Sequence, residues 1–253
     1  MYDVIIVGAG MAGMTSAIYV ARAGLSVLVL ETGAVGGQIL GSLEVSNWPG
    51  EVKISGVKLM ENVHKQVKNL NVEIEYEKVE KVIKNNDKFT IVTDEGEYES
   101  RTVILAMGRE ERKLSEKQAQ DAGERPISYC ATCDGALYKG KKVVVIGSGN
   151  TAKHEIKYLN GICSKVYHIH HDEPIPPEAE AVFVAIGRVP ATEMVKDLVD
   201  LDETGYVVAG EDCVTSCPGV FVAGDVRTKN LRQLVTAAGD GATAGEAAID
   251  FLK

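Results

Sequence analysis

The sequence predicts an α/β fold with two nucleotide-binding-type units, because a glycine-rich turn joins a predicted strand to a predicted helix twice in the chain. The first turn spans residues 8–13 and the second spans residues 147–152. A Cys-x-x-Cys pair, Cys130 and Cys133, lies between the two turns and is followed at once by Asp134. A redox-type dithiol between two dinucleotide turns indicates an enzyme that carries electrons from a cofactor to a disulfide.

The composition is that of an ordinary globular protein and excludes several function classes. The chain has 253 residues, of which 45% are hydrophobic and 25% are charged. Its net charge of −9 argues against a nucleic-acid partner, because nucleic-acid binders present basic patches. No apolar run approaches the ~18 residues of a membrane helix, and Asp3 opens a strand rather than a secretory signal. We therefore expect a cytoplasmic protein without membrane contact, whose cysteines are thiols or a catalytic pair.

Hydrophobic periodicity gives the elements of the first unit in order. A short buried strand leads into the first turn, a helix follows and ends at Gly24, and the next strand ends at Glu31. Later segments alternate apolar and polar residues as half-buried strands do, and the continuous apolar run before Met107 is typical of a buried parallel strand. The predicted elements are strand 3–7, helix 11–23, strand 26–30, helix 57–67 and strands 72–76, 89–92 and 102–106.

The second unit begins at Lys142 and is shorter. Residues 110–120 before it are charged and weakly patterned, and we interpret them as a crossing between domains. The proline-rich run 173–177 ends regular structure. The predicted elements are strand 143–146, helix 152–159, strand 165–169, the buried strands 181–186 and 219–225, and a closing helix 232–251.

The first turn lies in the context that dinucleotide binding requires. Gly8, Gly10 and Gly13 let the backbone approach a pyrophosphate, and the helix amino terminus offers free N–H groups to it. Glu31 lies near the position where a carboxylate binds the ribose hydroxyls of an adenosine.

Motifs along nearly the whole chain resemble those of the low-molecular-weight, flavin-dependent thioredoxin reductases. Each motif is weak alone, but their order around Cys-Ala-Thr-Cys-Asp is specific. They are Gly8-x-Gly10-x-x-Gly13, Gly36-Gly37-Gln38, Asn47-Trp48-Pro49-Gly50, Ala106-Met107-Gly108, Cys130-Ala131-Thr132-Cys133-Asp134-Gly135, Gly224-Asp225 and Arg232-Gln233.

The resemblance implies a two-domain, Rossmann-like flavoprotein that is usually a homodimer. Its FAD-binding domain would be discontinuous, over 1–112 and 180–253, with a small truncated α/β domain inserted at 113–179 that rotates about two short linkers. Glu31 would hold the adenosine ribose, Asp225 the ribityl or phosphate portion, and Arg232-Gln233 would place a helix amino terminus by the isoalloxazine. The implied FAD-binding residues are Gly8, Gly10, Gly13, Glu31, Gly37, Gln38, Asn47, Gly108, Asp225, Arg232 and Gln233.

The resemblance also implies the roles of the dithiol. Cys133 would face the flavin and Cys130 would attack the disulfide of a thioredoxin or a thioredoxin-like protein. Asp134 could pass a proton to the leaving thiolate as general acid and base. A half zinc site is the alternative, but no second Cys or His pair has the spacing to complete it, so we predict no metal.

Two minor clusters carry less weight. We interpret Cys213 and Cys217 as buried small residues, with a secondary disulfide between them as the alternative. His168 and His170 share one face of a predicted strand and His171 lies opposite, which favours solvated or edge histidines over a metal site.

The second unit departs from the family. Residues 143–172 hold one βαβ unit, whereas a complete nucleotide-binding half needs βαβαβ. Family members that use NADPH carry a His-Arg-Arg run where this chain has residues 170–173, His-His-Asp-Glu, and no arginine lies between Arg125 and Arg188. A 2′-phosphate favours guanidinium partners and would instead meet two carboxylates.

The hypotheses for the function therefore differ in the electron donor. The leading one is reduced ferredoxin, as in the ferredoxin-dependent flavin thioredoxin reductases, with electrons passing to FAD, then to the dithiol and then to thioredoxin. Ferredoxins are typically acidic, so docking would need a basic patch, for which residues 139–142, Lys-Gly-Lys-Lys, are a candidate; a solvated turn is the alternative. The other hypotheses are a compact reductase that uses NADH or a second flavin, and a non-enzymatic sensor with a dithiol.

Overall fold

The computed structural model describes residues 1–42, 44–129 and 131–253, and it describes only the backbone of Thr132 and Cys133. The strands are β1 Tyr2–Val7, β2 Val27–Leu30, β3 Glu73–Glu75, β4 Val79–Asn85, β5 Lys88–Thr93, β6 Glu97–Leu105, β7 Arg109–Glu111, β8 Ile127–Ser128, β9 Lys142–Ile146, β10 Lys165–Ile169, β11 Ala181–Val184, β12 Arg188–Pro190 and β13 Val220–Val222. The α-helices are α1 Met11–Arg22, α2 Gly56–Lys68, α3 Glu116–Ala122, α4 Ala131–Asp134, α5 Asn150–Asn160 and α6 Leu234–Leu252. None of the helices in these described ranges is both long enough and apolar enough to span a bilayer.

The chain folds into two compact units. The first comprises Met1–Leu40, Glu44–Arg109 and Pro190–Lys253, and the second is built mainly from Glu110–Val189. The mixed α/β architecture with a discontinuous first unit and a smaller inserted unit is the fold class that the sequence predicts.

The first unit contains a seven-stranded sheet whose path is β3-β2-β1-β6-β5-β4. The long strand β6 changes partners along its length. Its first half pairs antiparallel with β5, and its second half pairs parallel with β13, while β1 lies on its other side. The parallel register aligns Val7 with Leu30 and with Leu105. The carboxyl ends of β1, β2, β6 and β13 therefore lie at one edge, where ligands bind in such sheets.

Helices α1 and α6 pack closely on one face of this sheet. A Cβ at Gly241 would lie 2.3 Å from the Ala12 carbonyl oxygen, and one at Gly245 would lie 2.9 Å from the Tyr19 Cβ. The Ser16 hydroxyl donates to the Gly241 carbonyl at 2.9 Å, which satisfies a buried polar group between the two helices. These two glycines therefore serve the close packing of α1 on α6.

The second unit contains a four-stranded parallel sheet in the order β10-β9-β11-β8. The apolar residues of β9 are fully buried, as expected for a central strand with both faces covered. Helix α5 follows the second glycine turn and packs against β9, β10 and the short helix α4.

The second boundary between the units corrects the sequence-based division. We expected residues 180–186 to belong to the first unit, but β11 pairs in parallel with β9, with Ala181 opposite Val143 and Val184 opposite Ile146. The chain passes from one unit to the other at 109/110 and at 189/190 instead, and both positions lie in the two-stranded sheet formed by β7 and β12. A continuous apolar strand has the same sequence pattern in either sheet, so its partner is decided by tertiary pairing.

Several elements escaped the sequence analysis. The predicted crossing 110–120 contains β7 and the start of α3, whose N-cap Ser115 accepts a hydrogen bond from the Gln118 amide. Strands β4 and β8 were not predicted. The closing helix begins at Leu234 rather than residue 232, because Gln233 and Thr236 form a reciprocal capping box there.

Candidate functional site

The first glycine turn is shaped by close backbone contacts. Gly8 has φ +103°, a left-handed conformation, and a Cβ there would lie 2.5 Å from the Ala106 carbonyl oxygen at the end of β6. A Cβ at Gly13 would lie 1.9 Å from the Gly8 carbonyl oxygen. At Gly10, by contrast, no atom lies within 4 Å of the corresponding position, so this part of the turn faces open space.

The amino terminus of α1 is free to receive an anion at this open point. Gly10 is the N-cap of α1 and makes no side-chain capping hydrogen bond. The first N–H groups of the twelve-residue helix therefore have no side-chain acceptor, and a pyrophosphate could accept from them.

Glu31 lies at the end of β2 and ties this turn to the following loop. One carboxylate oxygen accepts from the Ala9 amide at 2.7 Å and the other accepts from the Gly33 amide at 2.9 Å. A carboxylate has about four acceptor sites, so each oxygen can still accept from a ribose hydroxyl. Gly36 also contacts the first turn, because its amide donates to the Ala9 carbonyl at 2.8 Å and brings Gly37 beside Gly10.

Two predicted cofactor residues meet at the amino terminus of α6. The Asn47 side-chain amide donates to the Gln233 side-chain oxygen at 3.1 Å. Gln233 also caps α6, so the contact links the 47–50 segment to the start of this helix.

A second group of predicted residues is joined by Arg109, which sequence reasoning missed. The Arg109 guanidinium donates to one Asp225 carboxylate oxygen through Nε at 3.2 Å and through Nη2 at 2.8 Å. The Gln38 side chain donates to the Arg109 carbonyl. Arg232 donates to the Asp225 carbonyl at 3.3 Å, and its guanidinium carbon lies 4.1 Å from the centre of the Tyr206 ring. Gly108, which precedes Arg109, adopts φ +70°.

A buried ion cluster supports the segment that carries Asp225. Asp240 on α6 accepts from Arg227 at 2.9 Å through each carboxylate oxygen and from Lys229 at 2.6 Å. It also accepts from the Gly224 amide at 2.9 Å. Burial raises the pKa of Asp240, but the hydrogen bonds from Arg227 and Lys229 outweigh it and lower the pKa below its ordinary value.

Cys213 lies against this cluster and is not a redox partner of Cys217. Both are free, buried thiols in the described structure, and they belong to different hydrophobic clusters of the first unit. Burial raises the pKa of Cys213 to about 11, which keeps its thiol protonated and unreactive. These positions therefore hold buried small residues, and no secondary disulfide joins them.

The dithiol segment lies in the second unit. Cys130 falls outside the described residues, and Cys133 lies within α4, so the structure describes the surroundings of the pair rather than the sulfurs. Asp134, the predicted general acid, accepts from the Ser128 hydroxyl at 2.6 Å. The Ala131 amide donates to Glu155 of α5. Sequence reasoning did not single out Glu155, because no local motif contains it.

The second glycine turn borders a cavity of about 790 Å³ within the second unit. Gly147, Ser148 and Gly149 line it on one side. Arg112 and Lys113 also line it, although both lie far in sequence from the end of β10. The volume falls within the ~300–1,000 Å³ range of small-molecule sites.

The end of β10 presents carboxylates that are already engaged. Glu173 accepts from the His170 amide at 2.8 Å, and Asp172 accepts from Ser115 at 3.0 Å and contacts His171 at 2.9 Å. The hydrogen bonds from His171 and Ser115 lower the pKa of Asp172, so it is ionised at neutral pH. The neighbouring His168 ring nitrogen lies 2.6 Å from the Gly147 carbonyl oxygen. Within the described part of the chain, no three His, Cys, Asp or Glu side chains are grouped to hold a metal ion.

Comparison with known proteins agrees with this arrangement. The family model described as pyridine nucleotide-disulphide oxidoreductase matches residues 2–179 and 176–241, so the match breaks at the proline-rich run. A thioredoxin reductase of Listeria innocua is 35% identical over 302 aligned positions, covering 100% of this chain and 94% of the relative. At least 49 of those 302 positions have no counterpart among the 253 residues of this chain, as expected for an internal deletion.

Solved structures extend the comparison. The thioredoxin reductase of Lactococcus lactis superposes with a TM-score of 0.88 at 31% identity, covering 100% of this chain and 99% of that one. A ferredoxin-flavin thioredoxin reductase of Clostridium acetobutylicum superposes with a TM-score of 0.65 at 26% identity, covering 99% of this chain and 97% of that one.

Proposed function

The chain belongs to the pyridine nucleotide-disulphide oxidoreductase family, and we propose that within it the chain is a thioredoxin reductase that receives electrons from reduced ferredoxin. FAD is the cofactor of this family, and the first unit fits it: an open glycine turn, uncapped N–H groups and Glu31 offer the partners that a pyrophosphate and a ribose need. When bound, FAD accepts electrons singly and releases them as a pair.

The residues of this chain would divide the work between the two units. In the first unit, Glu31 orients the adenosine end and Asp225 holds the ribityl or phosphate portion, while the capped start of α6 lies by the ring end. In the second unit, Cys130 attacks the thioredoxin disulfide, and Cys133 resolves the mixed disulfide and closes the Cys130–Cys133 bond. Asp134 supplies a proton to the thiolate that leaves.

One observation carries the choice of ferredoxin. The end of β10, where a 2′-phosphate of NADPH would lie, presents the ionised Asp172 and the exposed Glu173. An anionic ligand is repelled there, because like charges disfavour each other at short range. The Clostridium relative, whose name includes ferredoxin, supports the same donor.

The distribution of charge supplies a docking surface for an acidic donor. Residues 110–189 contain 11 Lys and Arg against 11 Asp and Glu, so the net charge of −9 comes from the rest of the chain. Lys165 pairs in register with Lys142, and both lie at the amino ends of their strands near Lys139 and Lys141. All four lysines are exposed, and among the described side chains only Glu180 is recorded as an ion-pair partner of this lysine edge. An acidic ferredoxin would be steered to this edge.

The cavity in the second unit favours a second candidate, a reductase that uses a pyridine nucleotide. It borders the second glycine turn and is lined by Arg112 and Lys113, which could meet a phosphate. The two candidates differ in what reduces the bound flavin.

Anaerobic flavin bleaching separates the candidates. The purified protein would be mixed with NADPH, with NADH and with chemically reduced ferredoxin, and the flavin absorbance followed in time. We expect rapid bleaching with ferredoxin alone. Rapid bleaching with NADPH that is lost in an Arg112→Ala, Lys113→Ala variant would establish the second candidate instead. A matched Arg125→Ala variant, outside the cavity, controls for loss of charge.

A homodimer and a cytoplasmic location belong to the same proposal. Cys163, Cys213 and Cys217 are free thiols, which suits a reducing compartment. The molar mass of the protein, measured by light scattering as it elutes from a size-exclusion column, tests whether it is a homodimer.

A further inference from the structure

Glu155 is a partly buried carboxyl group for which the proposed reaction has no stated use. It lies on α5, and its carboxylate accepts from the amide of Ala131. Its Oε2 atom is buried and has no hydrogen-bond partner among the described residues. A buried carboxyl oxygen without a partner is costly when ionised, so such a group is retained where it has a task.

The hydrogen bond places Glu155 at the amino end of α4. Ala131 is the first residue of α4 and follows Cys130 directly in the chain, so its amide nitrogen is bonded to the Cys130 carbonyl carbon. The close packing of α4 and α5 continues beyond Cys133, because a Cβ at Gly135 would lie 3.0 Å from the Tyr158 ring and 3.1 Å from Leu159. The position of Glu155 relative to the dithiol segment is therefore fixed.

The other charged groups around α5 do not neutralise Glu155. Helix α4 brings Asp134, whose carboxylate accepts from the Ser128 hydroxyl. Strand β10 brings His168, which is engaged at the Gly147 carbonyl, and β9 brings Lys142, which is exposed at the far end of the strand. On α5 itself, His154 and Lys157 are exposed. Burial raises the pKa of Glu155 to about 7, and it outweighs the hydrogen bond from the Ala131 amide and the weaker field of Arg188, which both lower that pKa.

We propose that Glu155 is a positioning residue of the dithiol, which holds the Ala131 amide at the start of α4 and, through its own charge, governs how readily the thiols ionise. Protonated Glu155 is neutral and leaves the thiolate undisturbed. Ionised Glu155 adds a negative charge at the amino end of α4, next in the chain to Cys130, and disfavours the thiolate, which is the attacking form. The inference rests on the proposed redox role of Cys130 and Cys133.

The test measures thiol reactivity against pH, which requires neither ferredoxin nor thioredoxin. The flavin-loaded protein would be reduced with dithiothreitol, freed of it without oxygen and alkylated with iodoacetamide between pH 5 and 9. Peptide mass spectrometry would follow Cys130 and Cys133 separately from Cys163. The variants are Glu155→Gln, which keeps an acceptor for the Ala131 amide but cannot ionise, and Glu155→Leu, which has no acceptor. Lys157→Gln on the same helix is the matched control.

We expect Glu155→Gln to match the wild type at pH 5.5 and to react about three- to tenfold faster at pH 8, since one pKa unit is a tenfold change in thiolate. Lys157→Gln should follow the wild-type profile. Glu155→Leu should react more slowly across the whole range, because the backbone contact is lost. Superimposable profiles of Glu155→Gln and the wild type would overturn the inference. The proposed function would fail on a separate result, namely if the Cys130→Ser variant still reduced thioredoxin.

Discussion

The two glycine turns of this protein have similar backbones and different chemistry. In both, the first glycine has positive φ, and a Cβ there would strike the next strand: 2.5 Å from the Ala106 carbonyl oxygen at Gly8 and 2.2 Å from the Ala185 carbonyl oxygen at Gly147. The strand–turn–helix junction therefore persists in the second unit. The difference lies in the groups that would meet a ligand.

The third position of the turn shows this difference. Gly13 brings α1 so close to Gly8 that a Cβ would lie 1.9 Å from the Gly8 carbonyl oxygen, whereas the second turn accommodates the Cβ of Ala152 there. Glu31 binds the amide of the first turn at 2.7 Å, while the equivalent His170 is exposed and donates its own amide to Glu173. The comparison teaches that a strand–turn–helix junction can be kept for packing after its ligand-binding groups have changed.

Two carboxyl groups, Asp240 in the first unit and Glu155 in the second, differ in the same way. Asp240 in the first unit is surrounded by two cations, and their hydrogen bonds lower its pKa despite burial. Glu155 in the second unit has one weak cationic influence, and burial raises its pKa to about 7. The first unit thus keeps a buried carboxylate that is paired with cations, and the second keeps a partly buried carboxyl group that can change its charge near neutral pH.

The largest expected effect comes from closing the first turn. Gly13→Val would force side-chain atoms into the Gly8 carbonyl and displace α1, and we expect the purified protein to contain almost no flavin. Flavin content is measured from absorbance after heat release. Ala152→Gly, at the equivalent position of the second turn, should retain full flavin and cost about 1 kcal/mol of helix stability. Equal flavin loss in both variants would break the comparison.

The next effect is on stability in the first unit. Asp240→Ala leaves Arg227 and Lys229 buried without their carboxylate, and we expect a loss of about 3–5 kcal/mol in the free energy of unfolding. Because the native pKa of Asp240 lies below its unfolded value, its contribution is present at neutral pH and declines as the pH falls. Urea unfolding at pH 7 and pH 4 measures both. Asp250→Ala, exposed on the same helix, should change stability little.

A smaller loss is expected from the ribose carboxylate. Glu31→Gln removes a charged acceptor from the Ala9 amide and from the predicted ribose contacts, and we expect about ten- to a hundredfold weaker FAD binding. Titration of the flavin-free protein, followed by flavin fluorescence, gives the Kd. His170→Ala at the equivalent position should bind FAD as the wild type does, and a comparable loss there would contradict the assignment of the two turns.

Sequence foresaw the parts of this site that are local in the chain. Gly8, Gly13 and Glu31 belong to one strand–turn–helix–strand unit whose spacing carries the geometry, so the turn contacts could be predicted. Arg109 and Asp225 are far apart in sequence, and only the alignment of β6 and β13 in one sheet brings them together. Nothing in the local pattern around either residue encodes that meeting.

The second unit was harder to predict for the same reason. Strand β11 was assigned to the wrong sheet, because its apolar run suits either one. Glu155 contacts the dithiol segment through packing of α5 on α4, which no motif records. The cations that line the cavity, Arg112 and Lys113, lie far in sequence from the turn they approach.

The raised pKa of Glu155 also predicts how the stability of the protein depends on pH. Its native pKa of about 7 exceeds the ordinary value, so the folded state binds more protons than the unfolded state between these values. Stability contributed by this group therefore falls as the pH rises from about 4.5 towards 7. We expect Glu155→Gln to reduce this fall by about a few degrees in Tm, measured by thermal unfolding at pH 5 and pH 8. His154→Gln, exposed on the same helix, should leave the fall unchanged.

The smallest expected effect concerns the lysine edge, and it tests whether the balanced charge of the second unit has a purpose. The double substitution Lys141→Glu, Lys142→Glu replaces two exposed cations beside Lys165 with anions. The ion pair there, Lys141 to Glu180 at 3.8 Å, is exposed and contributes little to stability. Rim charges govern the rate of encounter with a charged partner, so we expect ferredoxin-driven flavin reduction to slow several-fold at low salt and to converge with the wild type at high salt. Lys65→Glu, Lys68→Glu on α2 introduces the same charge change into the acidic first unit and should leave that rate nearly unaltered. Equal rates at low salt for the wild type and the Lys141, Lys142 variant would show that ferredoxin does not dock at this edge. They would not change the assignment of ferredoxin as the donor, which the bleaching experiment tests.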